Sequence, residues 1–342
     1  MSNKPPIEVP QGAIRLNTDS QRLEFFAQDR WYEMATEEAS GIGNRGFRVS
    51  GTGAGATLIE TFNITSLGNS HDTGFDLSTS RGAFGCSASR TRAIIAGGNA
   101  PGVSNSNDIQ YFEMAALSNT IDFGDLTAVM AESGAHSNNV RFLITGAASS
   151  ANNVINFLTV ASTGSAQDFG DQANKLSSTT ACGSPTRGLF AGGAIPSIVN
   201  IIEFVTIAST GNSVDFGDLT VARYSAGSGS NNTRGLFIMG NAGSPTNQVN
   251  TIDFVTISST GNAQDFGDSS MSDTGGPTQG PGICASPNRI VFFGGYITGG
   301  TDRTTEMEYV NPTTRGNSTR FGDLETAQNS DGNALSSSHG GL

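Results

Sequence analysis

The sequence predicts an all-β protein, a six-bladed β-propeller over residues 41–342 preceded by a small β-rich module over residues 1–40. Three observations predict it. A segment of strand-like character recurs along the chain at intervals of 46 to 55 residues. The composition suits strands and turns, with only 14% charged residues and 45 Gly, whereas surface helices need Glu, Lys, Arg and Ala on their exposed faces. Finally, the last residues of the chain resemble a strand that is missing from the first repeat.

The repeat is clearest in Asn-Ile-Ile-Glu-Phe-Val-Thr-Ile-Ala-Ser-Thr-Gly-Asn-Ser-Val-Asp-Phe-Gly-Asp at 200–218, matched by Asn-Thr-Ile-Asp-Phe-Val-Thr-Ile-Ser-Ser-Thr-Gly-Asn-Ala-Gln-Asp-Phe-Gly-Asp at 250–268. A third copy spans 153–171, and weaker copies place the final Asp of each unit at Asp76, Asp125, Asp171, Asp218, Asp268 and Asp323. That period lies in the range of propeller blades. An Arg marks the same register independently at Arg45, Arg92, Arg141, Arg187, Arg234 and Arg289, in four cases 16 residues after the preceding Asp. The fifth interval is five residues longer, so 269–282, rich in Gly, Pro and Ser, is expected to be a surface loop.

Each unit reads as four short strands. In the fifth, small residues (225–230) turn through Asn231 and Asn232 into an apolar strand (234–240), and a loop leads to the strand 251–258 with Ile252, Phe254, Val255 and Ile257. A Thr-Gly-Asn turn at 260–262 then opens the fourth strand, 263–268. Small residues suit an innermost strand, because blades converge at the axis. Cys86, Cys182 and Cys284 fall on that strand and read as small buried residues. The unit beginning at Arg45 lacks a first strand, and 333–339 follows the last Asp where one is due, so the tail is expected to complete the first blade and remove an open edge.

The Gly pairs at 97–98, 192–193 and 294–295 resemble the kelch repeat, although only Gly295 is followed by Tyr and residues 41–342 contain no Trp. More closely, the segments at 209–220 and 259–268 are similar to the kelch-like propellers of virion proteins from tailed, especially marine, bacteriophages, over most of 41–342. Residues 10–34 lie outside the repeat and read as three short strands. With Gly12, Ile14, Arg15, Asn17, Thr18, Asp19, Leu23, Glu24, Phe25 and Trp31, they resemble a module of phage tail-fibre and capsid-appendage proteins. Residues 35–43 read as the linker.

A module this small buries too little surface to stand alone, so Phe25, Phe26, Trp31 and Tyr32 are expected to dock on other virion proteins or on further copies of the chain. The resemblance implies a structural virion component, a tail fibre, tail appendage or capsid fibre made in the host cytoplasm, whose propeller serves host-surface attachment. A dedicated lectin-like glycan- or receptor-binding module is the alternative, and glycan processing the least favoured reading.

Charge and motif content narrow the chemistry. The net charge is −12, with Lys only at Lys4 and Lys175, which leaves no basic footprint for nucleic acid. Apolar stretches such as 201–208, interrupted by Glu203, are too short to span a bilayer, and no signal-peptide pattern opens the chain. Three Cys do not suggest a disulfide framework. His71, His136 and His339 fall at different blade positions without zinc-ligand spacing, and sialidase-type boxes are missing, so the expectation is no enzyme and no cofactor. The repeated Asp and Arg read as structural, with Ca²⁺ at the Asp-Phe-Gly-Asp turns left open. Loops after the second strands vary between blades, as does the fifth residue after each Asp, and by strand alternation both emerge on one face. Tyr296, Asp302, Arg303 and Arg223 are the candidate receptor-binding residues there, an aromatic platform with polar groups suited to a sugar.

Overall fold

The structure is a computed structural model and describes residues 9–17, 22–28, 30–33, 44–49, 57–99, 105–116, 118–146, 153–194, 196–243, 247–271, 280–295, 304–326, 333–340 and 342. The chain divides into two compact units, Met1–Gly41 and Ile42–Leu342. Among the described residues there is no helix.

The larger unit is a six-bladed β-propeller, each blade a four-stranded antiparallel sheet. Blade 2 runs outward from the axis as Gly85–Ala88, Arg92–Ala96, Ser106–Glu113 and Ile121–Met130. Blade 3 consists of Gly134–Ser137, Arg141–Thr145, Val154–Thr159 and Gln167–Asp171. In blade 4 the strands are Thr180–Gly183, Arg187–Ala191, Ile201–Thr206 and Val214–Asp218. Blade 5 follows with Gly227–Ser230, Arg234–Ile238, Thr251–Thr256 and Gln264–Asp268. Blade 6 contains Gly282–Ala285, Ile290–Phe293, Glu306–Val310 and Thr319–Asp323.

Blade 1 takes its inner strand from the end of the chain. Asn333–Ser336 pairs antiparallel with Arg45–Val49, from Asn333 opposite Val49 to Ser336 opposite Gly46, and Leu58–Asn63 and His71–Asp76 complete the sheet. Each inner strand packs against the next, and the ring closes where Asn333–Ser336 meets both Gly282–Ala285 and Gly85–Ala88. The tail therefore supplies the missing strand, and the first and last blades are joined by backbone pairing.

Blades are buried on both faces, which is why their middle strands are almost continuously apolar. Between neighbours, the repeated Phe75, Phe123, Phe169, Phe216, Phe266 and Phe321 are all buried. In five blades this Phe meets the third-strand aromatic edge-on, as in Tyr111–Phe123 at 5.4 Å and Phe204–Phe216 at 5.8 Å between ring centroids. On the same aromatic lies the recurrent Arg: Arg92 over Tyr111, Arg141 over Phe157, Arg187 over Phe204, Arg234 over Phe254 and Arg289 over Tyr309, with Arg45 near Phe47. Five of these guanidinium groups also donate to a carbonyl of the following blade: Arg92 to Val160, Arg141 to Ile207, Arg187 to Ile257, Arg234 to Pro312 and Arg289 to Ile64, at 2.7–3.0 Å. The Arg is thus an inter-blade tie, as its position at the start of the second strand suggests.

Asp-Phe-Gly-Asp forms the other half of the tie. Its Gly takes φ near +145° (Gly217) and packs so closely on the Thr-Gly-Asn turn of the next blade that a Cβ there would lie 2.5 Å from Gly261. Across that contact Gly261 N donates to Phe216 O and Ala263 N to Asp218 O, while the Asn262 side chain accepts from Asp218 N. The same side-chain cap covers Asp76, Asp171, Asp268 and Asp323 through Asn119, Asn212, Asn317 and Asn69; at Asp125 the Ser165 hydroxyl accepts instead. The last Asp therefore contributes its backbone to the clasp. It is the first Asp of the segment whose carboxylate caps a turn, Asp122 accepting from Gly124 N and Asp168 from Gly170 N.

The smaller unit is a three-stranded antiparallel sheet, Ile14–Asn17, Arg22–Ala27 and Arg30–Glu33, in chain order. Ala27 pairs with Arg30, and Gln28 in the connecting turn takes φ of 49°. The expected linker, 35–43, lies outside the described residues.

Candidate binding face

Strand alternation puts the second-to-third-strand loops and the blade-to-blade connections on one face, and the inner turns and Thr-Gly-Asn turns on the other. On the loop-bearing face, the described loops of blades 4 and 5 fold back on themselves and on the incoming connection, through the bridges Ser177 to Ala194, Ala194 to Ile198, Tyr224 to Asn241 and Asn241 to Gln248. The glycine pairs make this possible: Gly192 and Gly193 have φ of 60° and 118°, and a Cβ on Gly192 would lie 2.4 Å from Arg223 O. In blade 5 Met239, at φ 55°, adopts the first of these conformations without being Gly.

Of the candidate receptor residues, Tyr296, Asp302 and Arg303 lie outside the described residues. Arg223 is a correction: it is fully buried, not a surface group. Gly193 N donates to its carbonyl at 2.9 Å, holding the backbone against blade 4, and the side chain turns inward to blade 5. There its guanidinium donates to Asp253 Oδ2 at 2.8 Å and to Phe237 O at 3.2 Å. Burial draws the Arg223 pKa down while Asp253 acts to raise it. Arg81, at the equivalent position after blade 1, is likewise buried and ion-paired, with Asp108. At this position Arg81 and Arg223 therefore serve internal partners, whereas Lys175 is exposed, and Asp273 and Gln328 lie outside the described residues.

That partner set escaped the sequence reading. One polar residue stands at the same third-strand position in every blade, Glu60, Gln110, Asn156, Glu203, Asp253 and Glu308, all buried. Each receives the connection arriving from the preceding blade or the turn beside it. Ala173 N and Asn174 N donate to Glu203, Thr220 N to Asp253, Ser270 N to Glu308, Thr326 N to Glu60 and Thr127 N to Asn156. Glu60 also pairs with buried Arg48 at 2.8 Å. The signal was available in the repeat, because a polar residue recurs there with the same period as the Asp and the Arg.

At the axis, Cys86, Ala135, Ala181, Ser228, Ile283 and Ala334 line a channel with a cavity of about 90 Å³ near the loop-bearing face and one of about 50 Å³ near the other. Cys182 and Cys284 sit one position further along their strands and are buried between sheets, Cys182 also bordering the smaller cavity, whereas Cys86 borders both cavities, so the three are not equivalent. Burial raises the Cys182 thiol pKa to about 12 and that of Cys284 further, which removes thiolate character at neutral pH.

The far end of the channel is occupied by the residues that follow the closing strand. Ser338 Oγ donates to Ala285 O of blade 6, His339 Nε2 bonds Ala88 O of blade 2 at 2.6 Å, and Gly340 N donates to Ser230 O of blade 5. A Cβ on Gly340 would stand 2.4 Å from Asn231 O and 2.7 Å from Gly183 O. The His339 ring packs on that of His136, which in turn bonds Ser184 O of blade 4. Burial lowers the His136 pKa to about 3, with His339 adding to the effect, and burial lowers His339 to about 4; both rings are neutral near pH 7.

In the smaller unit, Phe26, Trp31 and Tyr32 are half-buried, and Phe25 lies on the strand Arg22–Ala27. Trp31 packs edge-on to Phe26 and beneath the Arg15 guanidinium, 4.1 Å from its ring, while Arg15 pairs with Glu24. Ile14 is 64% exposed. Among the described residues, no group of three or more His, Cys, Asp or Glu side chains could hold a metal ion. Neither a protein-family model nor a curated protein matches the chain.

Proposed function

We propose that this chain is a structural component of a phage virion, an appendage that presents a rigid propeller for attachment to the host surface. The observation that carries the reading is the division of labour among its residues. The repeated Arg, Asp and third-strand polar groups are engaged in bracing blade to blade, while differences in length and chemistry between blades concentrate in loops on one face. A scaffold that fixes position beneath loops that vary is what recognition of a surface ligand requires. The similarity of 209–220 and 259–268 to phage virion propellers supports the same reading.

In this proposal residues 1–40 dock on other virion proteins and on further copies of the chain, with Trp31 and Tyr32 at the contact. A reconstruction of the particle is expected to show residues 1–40 at the particle body and the propeller directed outward. Absence of the protein from purified particles refutes the assignment. Within the full chain, replacing Trp31 and Tyr32 by Ala is expected to yield monomers with an unchanged propeller melting transition; unchanged assembly and incorporation refutes the docking role.

A further inference from the structure

Blade 2 departs from the other five where its third strand meets the incoming connection. Elsewhere the third-strand polar residue binds main-chain N–H groups of the connection, which is thereby laid onto the sheet. In blade 2 that residue is Gln110, and its amide is used sideways: Oε1 accepts from Thr120 Oγ1 at 2.7 Å and Nε2 donates to Asp108 Oδ2 at 3.1 Å. The connection reaches the neighbouring hydroxyl, Ser78 N donating to Thr120 Oγ1 at 2.7 Å, as it does at Ser70, Ser213 and Ser318 in blades 1, 4 and 6, but it makes no main-chain bond to Gln110 among the described residues. A cleft of about 280 Å³ opens between them, lined by Ser78, Thr79, Arg81, Ser106, Asp108, Gln110 and Asp122.

The polar groups of this cleft are held in place. Buried Arg81 anchors Asp108, donating to both its carboxylate and its carbonyl, and also donates to Gly97 O. Asp108 Oδ2 receives Arg81 and Gln110, and no described residue donates to its Oδ1. Asp122 uses Oδ1 for Gly124 N, and no described residue donates to its Oδ2. Two pre-positioned carboxylate oxygens and the hydroxyls of Ser78, Thr79 and Ser106 thus share one solvent-open cleft.

The combination belongs to blade 2. Where Asp108 stands, blades 1, 3, 4 and 5 carry Leu58, Val154, Ile201 and Thr251. Blade 6 has an acid there, Glu306, but also has Arg320 in the place of Asp122, and that Arg bridges Glu306 and Asp323.

We propose that this cleft binds one unit of a neutral saccharide, with Asp108 and Asp122 accepting hydrogen bonds from neighbouring hydroxyls. One guanidinium against two carboxylates leaves the cleft net negative, which disfavours phosphate and acidic sugars. Two monodentate carboxylates, one already tied to Arg81, fall short of the six to eight oxygens that Ca²⁺ requires. A ligand rich in O–H donors matches what remains, and the volume fits a single ring, near the lower end for small-molecule sites. The inference rests on the surface-attachment reading and adds to it the ligand class and the place of contact.

The test uses the full chain, saturation-transfer NMR and calorimetry with methyl glycosides of glucose, galactose, mannose and N-acetylglucosamine, N-acetylneuraminic acid as the acidic control, and CaCl₂ alone. At least one neutral glycoside is expected to bind, and Asp122→Asn, which keeps a carbonyl for Gly124 N, is expected to weaken it by about tenfold or more without shifting the melting temperature. Asp108→Asn is a second variant, read only if it melts as the parent does. No binding by any neutral glycoside, binding indifferent to Asp122→Asn, or binding of Ca²⁺ alone overturns the proposal. Host-cell adsorption measured in parallel separates the two claims: adsorption of the full chain that Asp122→Asn leaves intact overturns the cleft as the contact and leaves attachment standing.

Discussion

Replacing Arg223 distinguishes a bracing role from a recognition role at a position whose variation between blades suggests recognition. Arg223 and Asp253 have no exposed side-chain surface, and they meet at 2.8 Å. Arg223→Ala leaves Asp253 buried without its counter-charge, keeping only the bonds from Thr220 N and Oγ1. Removing one partner of a buried ion pair costs about 3–5 kcal/mol. At ~2.1 cal/mol/K of unfolding entropy per residue, a propeller of this size loses roughly 5–8 °C of melting temperature for that cost. Differential scanning calorimetry and urea unfolding followed by circular dichroism measure both quantities.

A double variant identifies the cause of the penalty. Arg223→Met combined with Asp253→Asn, which keeps an acceptor for Thr220, is expected to recover most of the loss. A variant Arg223→Ala that melts with the parent, or a double variant no more stable than Arg223→Ala, refutes the argument.

Gly267→Ala is expected to cost about 3 kcal/mol or more, because a Cβ at φ +148° would lie 2.5 Å from Gly316 O; Gly261→Ala, at φ +152° with no atom within 4 Å, bears only the backbone strain of about 1–3 kcal/mol, and equal urea midpoints for the two refute the clasp. Deleting residues 333–342 is expected to lower the melting temperature by several degrees more than deleting 338–342, since only the former exposes the edge of Arg45–Val49 and removes buried Leu335; equal effects refute closure by strand pairing. His136 and His339 have folded pKa values near 3 and 4 against an ordinary 6.5, so their contribution is complete above pH 6.5 and declines as pH falls toward 4. His339→Asn is expected to flatten that part of the stability profile, and an unchanged profile refutes burial of the neutral ring.

The propeller was readable in the sequence because its ties are made by the same residue types at the same place in each blade. Arg187 reaches Ile257 as Arg141 reaches Ile207, and Asn262 caps Asp218 as Asn212 caps Asp171, so contact and repeat coincide. Positions that solve one problem with different residues were harder to see. The third-strand position is Glu, Gln, Asn or Asp, and it was hidden further because Ile252, Asp253, Phe254 and Val255 are all buried: a strand between two blades has no solvent face to set an alternation.

Cys86 lies six residues before its Arg, whereas Cys182 and Cys284 lie five before theirs, and in a strand that single step exchanges the axial face for the inter-sheet face. Arg223 was placed on the surface because its position varies between repeats, but Arg81 and Met130 are buried there as well, and only Lys175 among the described residues at that position is exposed. The same Arg finds its acid at two different third-strand positions, Asp253 for Arg223 and Asp108 for Arg81, so an internal contact can move between positions from blade to blade. In blade 2, Asp108 is the internal partner of Arg81, whereas Asp122 is a repeated turn residue that lines the same cleft. A site of that kind has no motif of its own, and it becomes visible only when the blades are compared position by position in three dimensions.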